Sequence, residues 1–163
     1  MIKISKAQKK DINKIAEIAA ESFSVWSQGG KKAAAKWIIC NYNAFPKMQY
    51  FVAKKGKNVA GYILWVEKGG FRKEAVWELE QIAVDKIFQG QGIGTLLIEK
   101  SLLEIKKYLK KRKSSLKLVE VTTGPHQHAQ NLYKKALGAE QECLIKNLFR
   151  GDEIIMIARF NEQ

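Results

Sequence analysis

The stretch QIAVDKIFQGQGIGTLLIEK, residues 81–100, carries the clearest chemical signal in the chain. An apolar run at Ile82, Ala83 and Val84 meets a polar break. Three glycines then fall at alternate positions, Gly90, Gly92 and Gly94, and a helical pattern begins at once. A helix N-terminus offers free backbone N–H groups and the positive end of the helix dipole. Glycine removes the Cβ and permits dihedrals closed to other residues. Strand, glycine turn and helix in that order form an arrangement that binds phosphate. A P-loop would need a Lys-Ser/Thr pair after its last glycine, whereas Gly94 is followed by Thr95 and Leu96. A dinucleotide fingerprint needs GxGxxG, and counted from Gly90 the third glycine comes one place early. Another phosphate cradle and a tight turn packing helix on strand both remain open. Just upstream, Glu78 and Glu80 are two residues apart in a strand-like run, so both point to one face, about 7 Å apart. Like charges so placed raise one pKa toward the range of a general base. The competing reading is a pair of solvated carboxylates beside lysines.

The elements that must hold these residues follow from periodicity. Residues 2–5 read as a strand. Ile12, Ile15, Ala16, Ala19 and Phe23 repeat at helical spacing behind Asp11 as a cap. Residues 31–43 read as a second helix, with Pro46 beyond its end. Residues 50–54 and 59–67 form a hairpin about a Gly-Lys-Asn turn, and 75–84 is a long strand. Ile98, Leu102, Ile105 and Leu109 mark the helix after the glycines. Residues 116–121 read as a strand. Ala129, Leu132, Tyr133, Ala136 and Leu137 mark a last helix closed by Gly138. Residues 142–149 and 153–160 make a hairpin around Arg150, Gly151 and Asp152. One βαβ crossover among hairpins predicts a mixed sheet.

Composition sets the frame. The chain has 163 residues, 46 % hydrophobic and 28 % charged, which suits one domain, residues 1–163. No apolar run approaches the roughly 20 residues of a membrane helix, and the N-terminus lacks a signal-peptide core. Cys40 and Cys143 lie far apart with no metal-ligand spacing, so no metal and a reducing, cytoplasmic setting are expected. The net charge of +13 invites anionic partners. Its cations are scattered along the chain, and the run 106–113 suits a helix C-terminus, so nucleic acid is not the expected partner.

The segment Gln89-Gly90-Gln91-Gly92-Ile93-Gly94 resembles the (Q/R)xxGx(G/A) signature of the GNAT N-acetyltransferase superfamily. It follows an Ile-Ala-Val strand end at that family's spacing, and AxxLYxxxxGA at 129–139 resembles the family's C-terminal helix. The resemblance covers nearly the whole chain. It implies an α/β (α+β) fold, a mixed, mostly antiparallel sheet of about seven strands flanked by four helices. It implies acetyl-CoA as cosubstrate, an amine acceptor, and a homodimer as a common outcome. Backbone amides of Gln89, Gly90, Gln91, Gly92, Ile93, Gly94 and Thr95 would hold the pyrophosphate. Ile82, Ala83 and Val84 would pair with the pantetheine arm as an added strand.

Acetyl transfer to an amine needs a base, stabilisation of the thioester oxygen and a proton for the thiolate. Tyr133 matches the family's proton donor to the CoA sulfur; its place on an apolar stripe equally suits packing. A phenol near its usual pKa of roughly 10 is protonated at neutral pH. Glu78 falls where histone-acetylating members carry their base, and Glu80 could serve through a water. His126 stands where many members have asparagine; His126 and His128 read first as loop or capping residues. Asn131 is a further cofactor candidate. Ala139 replaces an aromatic. Residues 24–48 and the 68–73 loop are expected to build the acceptor pocket; Trp26, Trp37, Tyr42 and Phe45 fall there, and their spacing suits either that site or the core. The other reading is a CoA-binding or basic nucleic-acid-associated protein on the same fold.

Overall fold

The computed structural model describes residues 1–23, 29–125, 127–149 and 151–160. Seven strands stand in the order β1-β2-β3-β4-β5-β7-β6. They are β1 (Ile2–Lys6), β2 (Met48–Lys55), β3 (Asn58–Lys68), β4 (Glu74–Val84), β5 (Ser115–Thr123), β6 (Glu140–Ile145) and β7 (Glu153–Arg159). The helices are α1 (Ile12–Ser22), α2 (Gly30–Asn43), α3 (Ile93–Lys111) and α4 (Gln127–Leu137). β1–β2, β5–β7 and β6–β7 are antiparallel, whereas β4–β5 is parallel across the α3 crossover. The expected mixed sheet of seven strands with four helices is present.

The chain divides into two compact units. The first comprises residues 1–64 and 81–97. In it Ile12, Ile15, Ala16, Ile18 and Ala19 form the buried stripe of α1, and Ala34 and Ile38 are buried on α2. Each buried Ile contributes roughly 1.5–3 kcal/mol. Tyr50 to Ala53 of β2 are buried as well. Burial runs unbroken along β3 from Val59 into the second unit, as in a strand covered on both faces.

Asp11 does not cap α1. Its carboxylate accepts from the Gln8 backbone N–H at 2.9 Å, closing a 3₁₀ turn at Lys9–Asp11, and takes an ion pair from Lys54 Nζ at 2.8 Å. A buried carboxylate beside both a turn amide and a strand lysine satisfies more of its lone pairs there than at a helix end.

The second unit comprises residues 65–80 and 98–163. Its core includes Trp65, Trp77, Leu79, Ile98, Ile105, Val119, Val121 and Met156. Ile98, Leu102, Ile105 and Leu109 are all buried, as their spacing predicts. Gly138, at φ +68°, ends α4 as expected. β6 stops at Ile145, four residues short of the expected end, because 146–149 belong to the connection, where the Asn147 amide donates to Asp152 Oδ1 at 3.1 Å. Arg150, read as part of that turn, lies outside the described residues. The basic run ending α3 is not wholly solvated: Arg112 leaves it to grip the buried Glu67 with both terminal nitrogens, one at 2.8 Å, and also bonds the Tyr108 hydroxyl at 3.2 Å.

Candidate functional site

The glycine turn sits in the first unit. β4 pairs with β5 from Glu74↔Ser115 to Glu78↔Glu120, and the strand continues to Val84. Gly61 of β3 lies against that end, where a Cβ would meet Ala83 O at 2.8 Å. After β4, Asp85 caps a short 3₁₀ turn through the Ile87 amide at 3.2 Å and pairs with Lys14 at 2.9 Å, which hold its carboxyl below the usual range.

Gly90 and Gly92 then take φ +74° and +72°, the left-handed region that disfavours side chains. A Cβ built on either would meet no atom within 4 Å. The missing side chains therefore leave space open instead of making room for packing. The Gly92 carbonyl accepts the Leu96 amide at 3.1 Å, which starts α3 there. The amides of Ile93, Gly94 and Thr95, in its first turn, have no intrahelical acceptor. Gln89 Nε2 donates to Val84 O at 3.0 Å and ties the turn to its strand, and Gln91 Oε1 accepts from Lys55 Nζ at 3.4 Å. Glycines without neighbouring atoms, leading straight into amides that lack an intrahelical acceptor, are compatible with a pyrophosphate.

Charge favours the same unit. The first unit carries thirteen lysines against four carboxylates, and the second sixteen basic residues against twelve acidic ones. The first unit also holds an open cavity of about 760 Å³ edged by Lys10, Lys14, Lys54 and Lys57, with Asp11 and Asp85 as counter-charges.

The second unit holds the candidate acid and base. Tyr133 lies on α4 with only 8 % exposure, and burial pushes its phenol up to about 12 rather than leaving it near 10. A phenol so shifted stays protonated through neutral pH but is a weaker acid. The folded pKa is above the unfolded value, so this group's stability is full below pH 10 and is lost as pH rises toward 12. Tyr133→Phe is expected to flatten that part of the alkaline unfolding curve, read by thermal melts at pH 9 to 12. Tyr62, also buried, shifts the same way and will keep some slope.

Glu78 and Glu80 do share a face of β4, and the parallel register adds Glu120 of β5 beside Glu78. Glu78 Oε2 accepts from Lys68 Nζ at 2.7 Å. Glu80 has its carboxyl raised, first by desolvation, then by the charge of Glu78 and a hydrogen bond with it. Its residue is exposed overall; the carboxylate itself lies close enough to protein for desolvation to lead. Lys68 and Glu120 were missed in the sequence, since only the pairing of β4 with its neighbours brings them to Glu78.

Asn131 and His128 are exposed on α4. His126 and Trp26 lie outside the described residues. Trp37 and Phe45 are exposed rather than core, with Lys6 Nζ 5.0 Å over the Phe45 ring, and Tyr42 is half-buried. Among the described residues no cluster of His, Cys, Asp and Glu could hold a metal, and no helix is long and apolar enough to cross a membrane.

A long strand that turns through open glycines into a helix, within a mixed sheet of seven strands, is the fold of an acyltransferase. Residues 12–139 match the acetyltransferase (GNAT) family, and the chain belongs to it. It is 29 % identical over 124 residues to an uncharacterized N-acetyltransferase of Methanocaldococcus jannaschii, covering 74 % of this chain and 51 % of that one. The chain thus spans about half the length of that relative. A crystal structure of a Pyrococcus horikoshii protein matches at TM-score 0.72 and 28 % identity, covering 99 % of this chain and 100 % of the other. The ribosomal-protein-S18-alanine N-acetyltransferase of Escherichia coli matches at TM-score 0.72 and 23 % identity over 100 % and 96 %, a likeness of fold. The family uses acetyl-CoA as cosubstrate.

Proposed function

We propose that the protein moves an acetyl group from acetyl-CoA to a primary amine by direct attack, with both substrates bound together. The observation that carries this reading is the turn at Gly90 and Gly92, open at both Cβ positions and leading directly into the first turn of α3. Residues 89–95 would hold the pyrophosphate. Ile82, Ala83 and Val84 would offer main-chain groups to the pantetheine arm, although the side chain of Gln89 already occupies the Val84 carbonyl. Asn131 is a further cofactor contact. Bound acetyl-CoA supplies the thioester. The chain supplies Glu80 as base, directly or through a water, Glu78 as its neighbour and Tyr133 as proton donor to the leaving sulfur. In this reading residues 1–163 work as one acetyltransferase domain in the cytoplasm.

The acceptor is a small-molecule or peptide amine. The E. coli fold neighbour acts on an alanine of a ribosomal protein, which supports including peptide N-termini. The test is thiol release at saturating acetyl-CoA across a panel of polyamines, amino acids and peptides. Turnover with one class supports the reading; CoA binding with no turnover on any amine favours a non-catalytic CoA-binding protein. Tyr133→Phe is expected to lower turnover by about 10²-fold with little change in the KM for acetyl-CoA, as loss of a general acid does. Unchanged turnover would remove Tyr133 from the mechanism.

A further inference from the structure

Lys68 is the last residue of β3, and its ammonium donates to Glu78 Oε2 at 2.7 Å. A general base must lie within about 2.6–3.2 Å of the group it deprotonates. Lys68 therefore already holds, toward one of the two candidate carboxylates, the position an acceptor amine would take. Glu80 and Glu120 also act on it electrostatically, and Lys68 is partly exposed, so the side chain is free to turn. We propose that Lys68 is a self-acetylation site: with acetyl-CoA bound and no acceptor present, the enzyme acetylates its own Lys68. This rests on the acetyl-transfer reading above.

The balance is that of ordinary amide formation. The Lys68 ammonium gives one proton to the Glu78–Glu80 pair and on to solvent. The neutral Nζ forms a bond to the acetyl carbonyl carbon, the carbon–sulfur bond breaks, and the second nitrogen proton ends on the CoA thiol. The product amide carries no charge, so Glu78 loses its ion-pair partner and faces the acceptor as a free carboxylate. Self-acetylation would thereby prime the carboxylates for cationic acceptors. The ion pair with Glu78 raises the Lys68 pKa, so the reaction should quicken as pH rises from 7 to 9.

The test is to incubate the full chain with acetyl-CoA alone and map acetylated lysines by peptide mass spectrometry over time and protein concentration. Lys68 should be modified about tenfold faster than the other lysines, at a first-order rate independent of protein concentration. Glu78→Gln separates enzymatic from chemical acetylation. Without the ion pair the amine is freer, so chemical modification of Lys68 would speed up; enzymatic modification would slow. Equal labelling of Lys68 and exposed lysines, or faster labelling in Glu78→Gln, overturns the proposal. Turnover on an added amine with Lys68 unmarked sinks this inference alone. Absence of both reactions sinks the parent reading with it.

Discussion

Gly92→Ala is expected to weaken CoA binding by on the order of 100-fold, about 2.7 kcal/mol, while the protein stays folded. Two costs must be separated. A side chain at φ +72° strains the backbone by roughly 1–2 kcal/mol. In a domain of this size that is a few degrees in melting temperature. The added Cβ meets no protein atom within 4 Å, so packing adds nothing further. The loss in affinity has another origin. The methyl group enters the space through which phosphate oxygens would approach the first amides of α3, and each hydrogen bond to a charged group is worth about 1.5–3 kcal/mol. Gly56→Ala is the matched control, because Gly56 sits at φ +63° with the same open surroundings in the β2–β3 turn. It should show the same fall in melting temperature and no fall in affinity. Calorimetric titration of CoA into both variants reads the difference. If Gly92→Ala binds CoA as tightly as Gly56→Ala, the turn does not cradle the pyrophosphate.

Glu80→Gln should lower turnover at saturating acetyl-CoA by about 10²–10⁴-fold, the usual range for loss of a general base. Its raised carboxyl should set the acidic limb of the turnover profile, and that limb should vanish in the variant. The same shift predicts a gain in stability. A carboxyl whose folded pKa lies above its unfolded value favours the fold at low pH and loses that contribution as pH rises through the folded pKa. At pH 7 the partly desolvated charge beside Glu78 therefore destabilises the native state, and glutamine relieves it. Glu80→Gln should melt higher than the parent at pH 7 and equally at pH 3.5. Lost activity with raised stability is the mark of a strained functional carboxylate. If turnover is unchanged and the melting temperature does not move, Glu80 is a solvated surface residue. Glu78→Gln/Glu80→Gln then asks whether Glu78 takes over; residual turnover in the single variant that disappears in the double one would show it does.

What was legible in the sequence was whatever depends on near neighbours. The stripe of Ile98, Leu102, Ile105 and Leu109 is a helical period, and burial follows it. The glycines at 90 and 92 and the cap at 138 announce positive φ before any packing is known. Glu78 and Glu80 share a face because strand geometry alternates with period two. Together with the family signature, these local facts determined the fold class and the cofactor, and they put two carboxylates on one face of β4.

The remainder was decided by tertiary structure, because it depends on register between segments far apart in the chain. A slip of one residue in the β4–β5 ladder would move Glu120 from the face of Glu78 to the opposite one. The partner of Glu78 is Lys68, ten residues earlier, and only the folded path of the loop between β3 and β4 joins them. Asp11, a natural cap by spacing, is drawn to Lys54 of β2, and Arg112, one cation in a basic run, is drawn to Glu67. The rise of the Glu80 carboxyl is likewise a matter of desolvation and of the charge of Glu78 beside it. Local patterns fix which groups face the same way; long-range pairing fixes which charges meet, and so which of them can act.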